Sequence, residues 1–175
     1  DTFNLTVNPI NDIPAILNPL NDVVVDEDAD DTSIALDGLF ADVDIATNAD
    51  DLTLSAVNSN VSLLTATITG SSLNLSLLAD QNGLAEIVVT ATDESLASVT
   101  DTFTVVVNSV NDAPRSFTLA TPLDGTAVQA LTPTLSWHVA LEVDAFDMVS
   151  YTLYYGSTIL DLVDVPDLED TVFTF

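Results

Sequence analysis

Lysine is missing from this chain, arginine occurs once, at Arg115, and histidine once, at His138. Against that one formal cation stand 28 acidic residues, for a net charge of −27. Nucleic acid is excluded as a direct partner, because phosphate contacts need Lys and Arg. Direct binding to an anionic membrane surface fails for the same reason. Cysteine is absent too, so no disulfide staples the fold; this leaves the redox compartment open. Without lysine there are also no Lys–Asn isopeptide cross-links. One His, one Arg and no Cys or Lys give general acid–base and oxyanion chemistry few tools. There is no Gly-rich phosphate loop, no nucleophile motif and no apolar run long enough to span a bilayer. Acids are too numerous for counting to single out a glycosidase-type pair. The reading is a protein that is not an enzyme.

What is present is strand material. Hydrophobic residues make up 47% of the 175, too many for the disorder that such charge otherwise signals. Apolar and polar residues alternate, with Asp/Asn/Gly/Pro punctuation every 10–15 residues. Seven strands are predicted, over 22–26, 32–37, 52–58, 63–69, 72–78, 85–92 and 100–108. Ile87, Val89 and Ala91 share one face, as do Phe103, Val105 and Val107. Seven short strands in about 100 residues read as an immunoglobulin-like sandwich.

The stretch DTFNLTVNPINDIP at 1–14 returns as DTFTVVVNSVNDAP at 101–114, with 8 of 14 positions identical. A period of that length is a whole domain. Three segments follow: 1–12, the last strand and linker of a preceding module or a donated strand; 13–112, a complete sandwich; and 113–175, a second sandwich lacking its last strands. In the second, SFTLATPLDG, PTLSWHVA, DMVSYTLYYG, TILDLVDV and DTVFTF read as strands. Leu135, Trp137 and Val139 are expected to point inward, and Tyr151, Leu153 and Tyr155 to share a face. Truncation and completion by a strand from another copy remain open alternatives.

In a sandwich of this topology the loop after strand 32–37 and the turn before strand 100–108 lie at the end where the chain enters. The loop carries Asp42, Asp44, Asn48, Asp50 and Asp51; the turn carries Asp93 and Glu94; the incoming linker carries Asn11 and Asp12. The opposite end gathers Glu27, Asp80, Asn111 and Asp112, with Asp144 and Asp147 from the second sandwich. Two carboxylates about 4 Å apart repel by roughly 4 kcal/mol at an effective dielectric near 20. Such clusters call for cations, a saline habitat, or both. Calcium takes 6–8 oxygen ligands, which both ends supply. The bland alternative is solvated acidic loops, since Asp and Asn favour turns for backbone reasons alone. Trp137 reads as core, His138 as exposed, and Tyr154 as an exposed aromatic able to meet a glycan.

The linkers NDIP and NDAP, DEDA at 26–29, FADVD at 40–44, NADDLTLSA at 48–56, VVTATDES at 88–95 and the terminal DTFTVVVNSVNDAP occur in family order. Through them, residues 1–114 resemble the bacterial cadherin-like repeats of large surface proteins. FTLATPLDGT, PTLSW and DMVSYTLYYG are similar to a bacterial fibronectin type III domain. The resemblance implies tandem all-β immunoglobulin-like sandwiches with Ca2+ at interdomain junctions. It implies Asp42, Asp44, Asp93, Asn11 and Asp12 as ligands on one side, and Glu27 and Asp112 on the other. LADQNG stands where cadherins carry L-D-R-E, so Asp80 is kept without the glutamate, and fewer or weaker ions are expected there. The implied role is a non-catalytic, extracellular stalk or filament segment. Its partners are neighbouring modules of the same chain or other copies of it, with glycan or surface protein possible. The alternatives are a glycan- or protein-binding adhesion module, a filament subunit assembled by strand donation, and accessory domains of a secreted polysaccharide-active enzyme.

Overall fold

Alternation in the sequence becomes two sheets in the first half of the chain. The computed structural model describes residues 2–8, 10–48, 50–156 and 160–175, with the side chain of Asn48 outside that description. Two units are distinct, Asp1–Val110 and Asn111–Phe175.

The first unit runs β1 (Ala15–Ile16), β2 (Val23–Asp26), β3 (Thr32–Ala35), β4 (Phe40–Ala41), a short helix α1 (Asp44–Asn48), β5 (Thr53–Asn58), β6 (Leu64–Thr69), β7 (Ser72–Leu77), β8 (Gly83–Thr92) and β9 (Ser98–Asn108). One sheet has the order β2-β9-β8-β5, the other β3-β7-β6. β2 lies parallel to β9, with Val23 opposite Val105. Ile87 and Val89 of β8 pack with Phe103, Val105 and Val107 of β9, and with Leu73 and Leu75 of β7. One apolar core therefore joins both sheets, which makes the unit a sandwich. Full burial of each such side chain is worth about 1.5–3 kcal/mol. Gly70, at φ 61°, opens the two-residue hairpin loop between Thr69 and Ser72, a conformation that suits glycine.

All seven predicted strands are present, with ends moved by up to two residues. The pair β1–β4, held by Ala15 opposite Ala41 and Ile16 opposite Phe40, and α1 are too short to leave a periodic signal. Residues 2–8 belong to no strand and lie exposed.

The second unit contains β10 (Leu119–Thr121), β11 (Thr134–Trp137), β12 (Tyr151–Tyr155), β13 (Val163–Leu168) and β14 (Val172–Thr174). They form sheets β10-β11-β14 and β12-β13. Trp137, Ala140 and Tyr151 make the core, with Leu135, Val149, Leu168 and Phe173 against it. The Tyr151 ring meets Trp137 and Phe117 edge-on at 5.5 and 5.1 Å. Its hydroxyl accepts the Ala140 N–H at 2.9 Å. Val139 does not point inward. β11 ends at Trp137, alternation stops there, and Val139 is exposed while Ala140 is buried. Of the three residues expected to share a face of β12, Tyr151 is buried and Tyr155 is partly exposed, its ring meeting Phe175 at 4.9 Å. The start of the predicted strand TILDLVDV falls on residues 158–159, outside the described residues.

Candidate metal centre

Three segments of the first unit meet at its N-terminal end. The first is the linker Asn11–Asp12. The second is the loop from β4 through α1 to β5. The third is the turn between β8 and β9. β4 delivers Asp42 to the start of α1, where its Oδ1 accepts the N–H of Asp44 at 2.8 Å. A carboxylate before a short helix satisfies one of the helix's orphan donors. Asp44 in turn accepts the Asp12 N–H through Oδ2 at 2.8 Å, which ties linker to loop. Asp50 accepts the N–H of Glu94 at 3.1 Å, which ties loop to turn.

Asp93 completes the set. Its Oδ1 accepts the Ala97 N–H at 2.8 Å and its Oδ2 accepts the Asn11 amide at 2.9 Å. The Asn11 hydrogen bond chiefly, with the N–H groups of Ala97, Ser95 and Leu96, holds the carboxyl below its ordinary pKa, against the opposing effect of desolvation.

Burial makes this arrangement costly. Asp42 is 8% exposed, Asp44 and Asp93 4% each. Residues 1–110 contain no Lys, Arg or His, so no side chain of this unit can neutralise them. Asp42 Oδ2 is buried without a hydrogen-bond partner among the described residues. An orphaned acceptor costs about 1–3 kcal/mol, and more when charged. Asp42, Asp50 and Asp93 each place a carboxylate oxygen within 4.8 Å of the other two. Ligands around one calcium ion, at about 2.3–2.6 Å from it, lie up to about 5 Å apart. The all-oxygen donor set and this spacing fit a hard divalent cation.

Of the residues singled out from sequence, Asn11, Asp12, Asp42, Asp44 and Asp93 converge here. Asn48 closes α1, with its side chain outside the described residues. Asp50 was recognisable only as one more acid of the loop; its place opposite Asp93 depends on how the loop folds back.

At the opposite end of the same unit Glu27 is buried, and its Oε1 accepts the Val110 N–H at 2.8 Å. Asn82 reaches its Oε2 at 3.4 Å. The Asp80 N–H donates to Asp28 Oδ1 at 3.2 Å. Within the second unit, the Asp112 N–H donates to Asp144 Oδ2 at 2.6 Å, and the Asn111 amide donates to the Asp112 carbonyl at 3.1 Å. Asp147 is exposed. His138 and Tyr154 are exposed and Trp137 is buried.

No family model matches the chain, and no curated protein does. Among solved structures it is similar to a Bacteroides ovatus protein described as SGBP-B of a mixed-linkage glucan utilization locus, in complex with a mixed-linkage heptasaccharide. Identity is 16% and the TM-score 0.36; the match covers 92% of this chain and 41% of that one. The chain thus spans about two fifths of the length of the protein it matches.

Proposed function

We propose that this chain is a non-catalytic structural and adhesive segment of an extracellular surface protein, and that its first sandwich holds a calcium ion at its N-terminal end. The observation that carries the metal is Asp42: a buried carboxylate with an orphaned oxygen, grouped with Asp50 and Asp93 in a unit without a cationic side chain. Asp42, Asp50 and Asp93 would supply the carboxylates, with Asp12, Asp44 and the amide oxygen of Asn11 within the same loops. A bound cation neutralises the cluster and fixes linker, loop and turn to one another. The linker is otherwise a short hinge, so ions at such ends stiffen a string of sandwiches. The likeness of residues 1–114 to cadherin-like repeats, and of 115–175 to fibronectin type III domains, agrees with this reading. So does the grouping of Glu27 and Asp80 at the far end of the first sandwich, and of Asn111, Asp112, Asp144 and Asp147 in the second unit.

A calorimetric calcium titration tests the proposal, together with melting curves in calcium and in chelator. At a hundredfold excess over its dissociation constant, one ion adds about 2.7 kcal/mol of stability. No uptake up to millimolar calcium, with unchanged melting in chelator, removes the metal from the proposal.

A second reading, glycan recognition, rests on Tyr154. It stands 62% exposed on β12, and an exposed aromatic is suited to stacking on a sugar face. Retention on a glycan array that includes mixed-linkage glucan, lost in Tyr154→Ala, supports it; no retention by the intact chain removes it.

A further inference from the structure

Most acids of the first sandwich lie in its loops, and the outer face of the sheet β2-β9-β8-β5 is nearly free of charge. Ile87, Val89 and Ala91 of β8, with Phe103, Val105 and Val107 of β9, are buried inward, so the residues between them face out. On β5, β8 and β9 those outward residues are Thr, Ser, Val, Leu and one terminal Asn, with a single charge at Glu86. β2 adds Val24 between Asp22 and Asp26. Those two carboxylates accept the Thr104 N–H at 2.7 Å and the Asn108 amide at 3.1 Å.

Exposed aliphatic side chains gather on this face and align across its strands. Val24 stands opposite Val106, and Val106 opposite Leu84. Val57 stands opposite Val88. Val24, Val57 and Leu84 are 64, 64 and 63% exposed. The strands β6 and β7 of the other sheet face outward with Thr65, Thr67, Thr69, Ser72, Asn74 and Ser76. Those strands are uncharged as well, so the two faces differ chiefly in apolar surface.

We infer that the outer face of β2-β9-β8-β5 is a contact surface for the same face of a second copy of this chain. Two chains of net charge −27 repel wherever their acidic loops meet; here each brings one central carboxylate. The chemistry of the face is complementary to itself. A two-fold contact lays apolar rows on apolar rows, and each Thr or Ser hydroxyl is both donor and acceptor for another. Strands of 4, 11, 10 and 6 residues, at about 3.3 Å per residue and about 4.8 Å apart, make a face of about 500 Å². Two such faces bury about 1,000 Å², the lower bound for a specific interface. The contact is therefore a weak one, formed at micromolar to millimolar concentration. It involves no metal and stands whether or not the acidic loops hold calcium.

The test is sedimentation of the intact chain in chelator, across that range, at 0.1 and 1 M sodium chloride, where the Debye length is about 10 and 3 Å. Chelator excludes calcium bridging between acidic loops. The expected result is a monomer–dimer equilibrium that tightens with salt, because screening removes repulsion and leaves the apolar contact. Leu84→Asp sets like charges against each other in the contact and should weaken association at least tenfold. Thr67→Asp adds the same charge to the outer face of the other sheet and should leave association at 1 M salt within about twofold of the parent. Glu86→Gln removes the charge that each copy brings and should tighten association. Leu84, Thr67 and Glu86 are all exposed, so the variants fold as the parent does. A chain that stays monomeric at both salt concentrations, equal weakening by Leu84→Asp and Thr67→Asp, or association unmoved by Leu84→Asp or by Glu86→Gln overturns the inference.

Discussion

The backbone N–H of Asp12 donates to Oδ2 of Asp44 at 2.8 Å, and 100 residues on the N–H of Asp112 donates to Oδ2 of Asp144 at 2.6 Å. The correspondence goes further. Asp42 accepts the Asp44 N–H, and Glu142 accepts the Asp144 N–H. The amides of Asn11 and Asn111 each donate to the carbonyl of the next residue. The repeat visible at 1–14 and 101–114 therefore extends to Asp42-Val43-Asp44 and Glu142-Val143-Asp144. In both units a linker is tied to a loop by the same hydrogen bonds. The first unit adds a third carboxylate, Asp93, from the turn between its two longest strands.

Asp42→Asn should have opposite effects with and without calcium. The asparagine keeps an oxygen for the Asp44 N–H, removes a buried charge, and offers an amide to the neighbouring carboxylates. In chelator the variant should be more stable than the parent by about 1–3 kcal/mol, the scale of the penalty for a buried acceptor left unsatisfied. In calcium the order should reverse, because the variant loses the ligand-linked stabilisation. Thermal melting of both proteins in both buffers reads the crossing. Parallel shifts in the two buffers would show that Asp42 carries no ion.

Asp93 makes a pH prediction with a definite sign. Its pKa is lowered in the folded state, chiefly by Asn11. A group of this kind contributes stability above its unfolded pKa, about 3.9. That contribution is lost as pH falls through the lower, folded value. Asn11→Ala removes the largest cause, so the Asp93 carboxyl should titrate at higher pH and acid unfolding should begin at higher pH. NMR titration of the Asp93 carboxyl carbon, in calcium-free buffer, checks this directly.

Screening and specific binding should separate cleanly. Raising sodium chloride from 0.1 to 1 M shortens the Debye length from about 10 to 3 Å. With a net charge of −27, melting temperature should climb smoothly with salt in the parent and in Asp42→Asn alike. The calcium effect should saturate and be missing from the variant. Equal, non-saturating responses to both salts would assign the acidic loops to solvation alone.

Much of this was legible in the sequence because the core obeys a period of two. Phe103, Val105 and Val107, with Ile87, Val89 and Ala91, state their burial in the order of their neighbours. The convergence of Asp42, Asp44 and Asp93 was legible too, because topology alone sends their loops to one end. Asp50 was not, since its position depends on a loop path that no period records. Val139 misled for a related reason: alternation predicts a face only while the strand lasts, and β11 stops two residues earlier. That Trp137 Nε1 has no hydrogen-bond partner among the described residues has no sequence signature, because it depends on what fails to pack against it.

The repeat also supplies its own control for the energetics of burial. Phe103 and Phe3 occupy the same place in segments identical at 8 of 14 positions, yet one is 2% and the other 88% exposed. Phe103→Ala deletes a ring from a core that joins both sheets, and should cost about 3–5 kcal/mol. Phe3→Ala removes nothing that the monomer buries and should stay within about 0.5 kcal/mol. In urea, at dilutions that keep the chain monomeric, the first midpoint should fall by at least about 1 M, while the second stays within error of the parent. A substantial loss from Phe3→Ala under those conditions would mean that residues 2–8 are packed within the single chain.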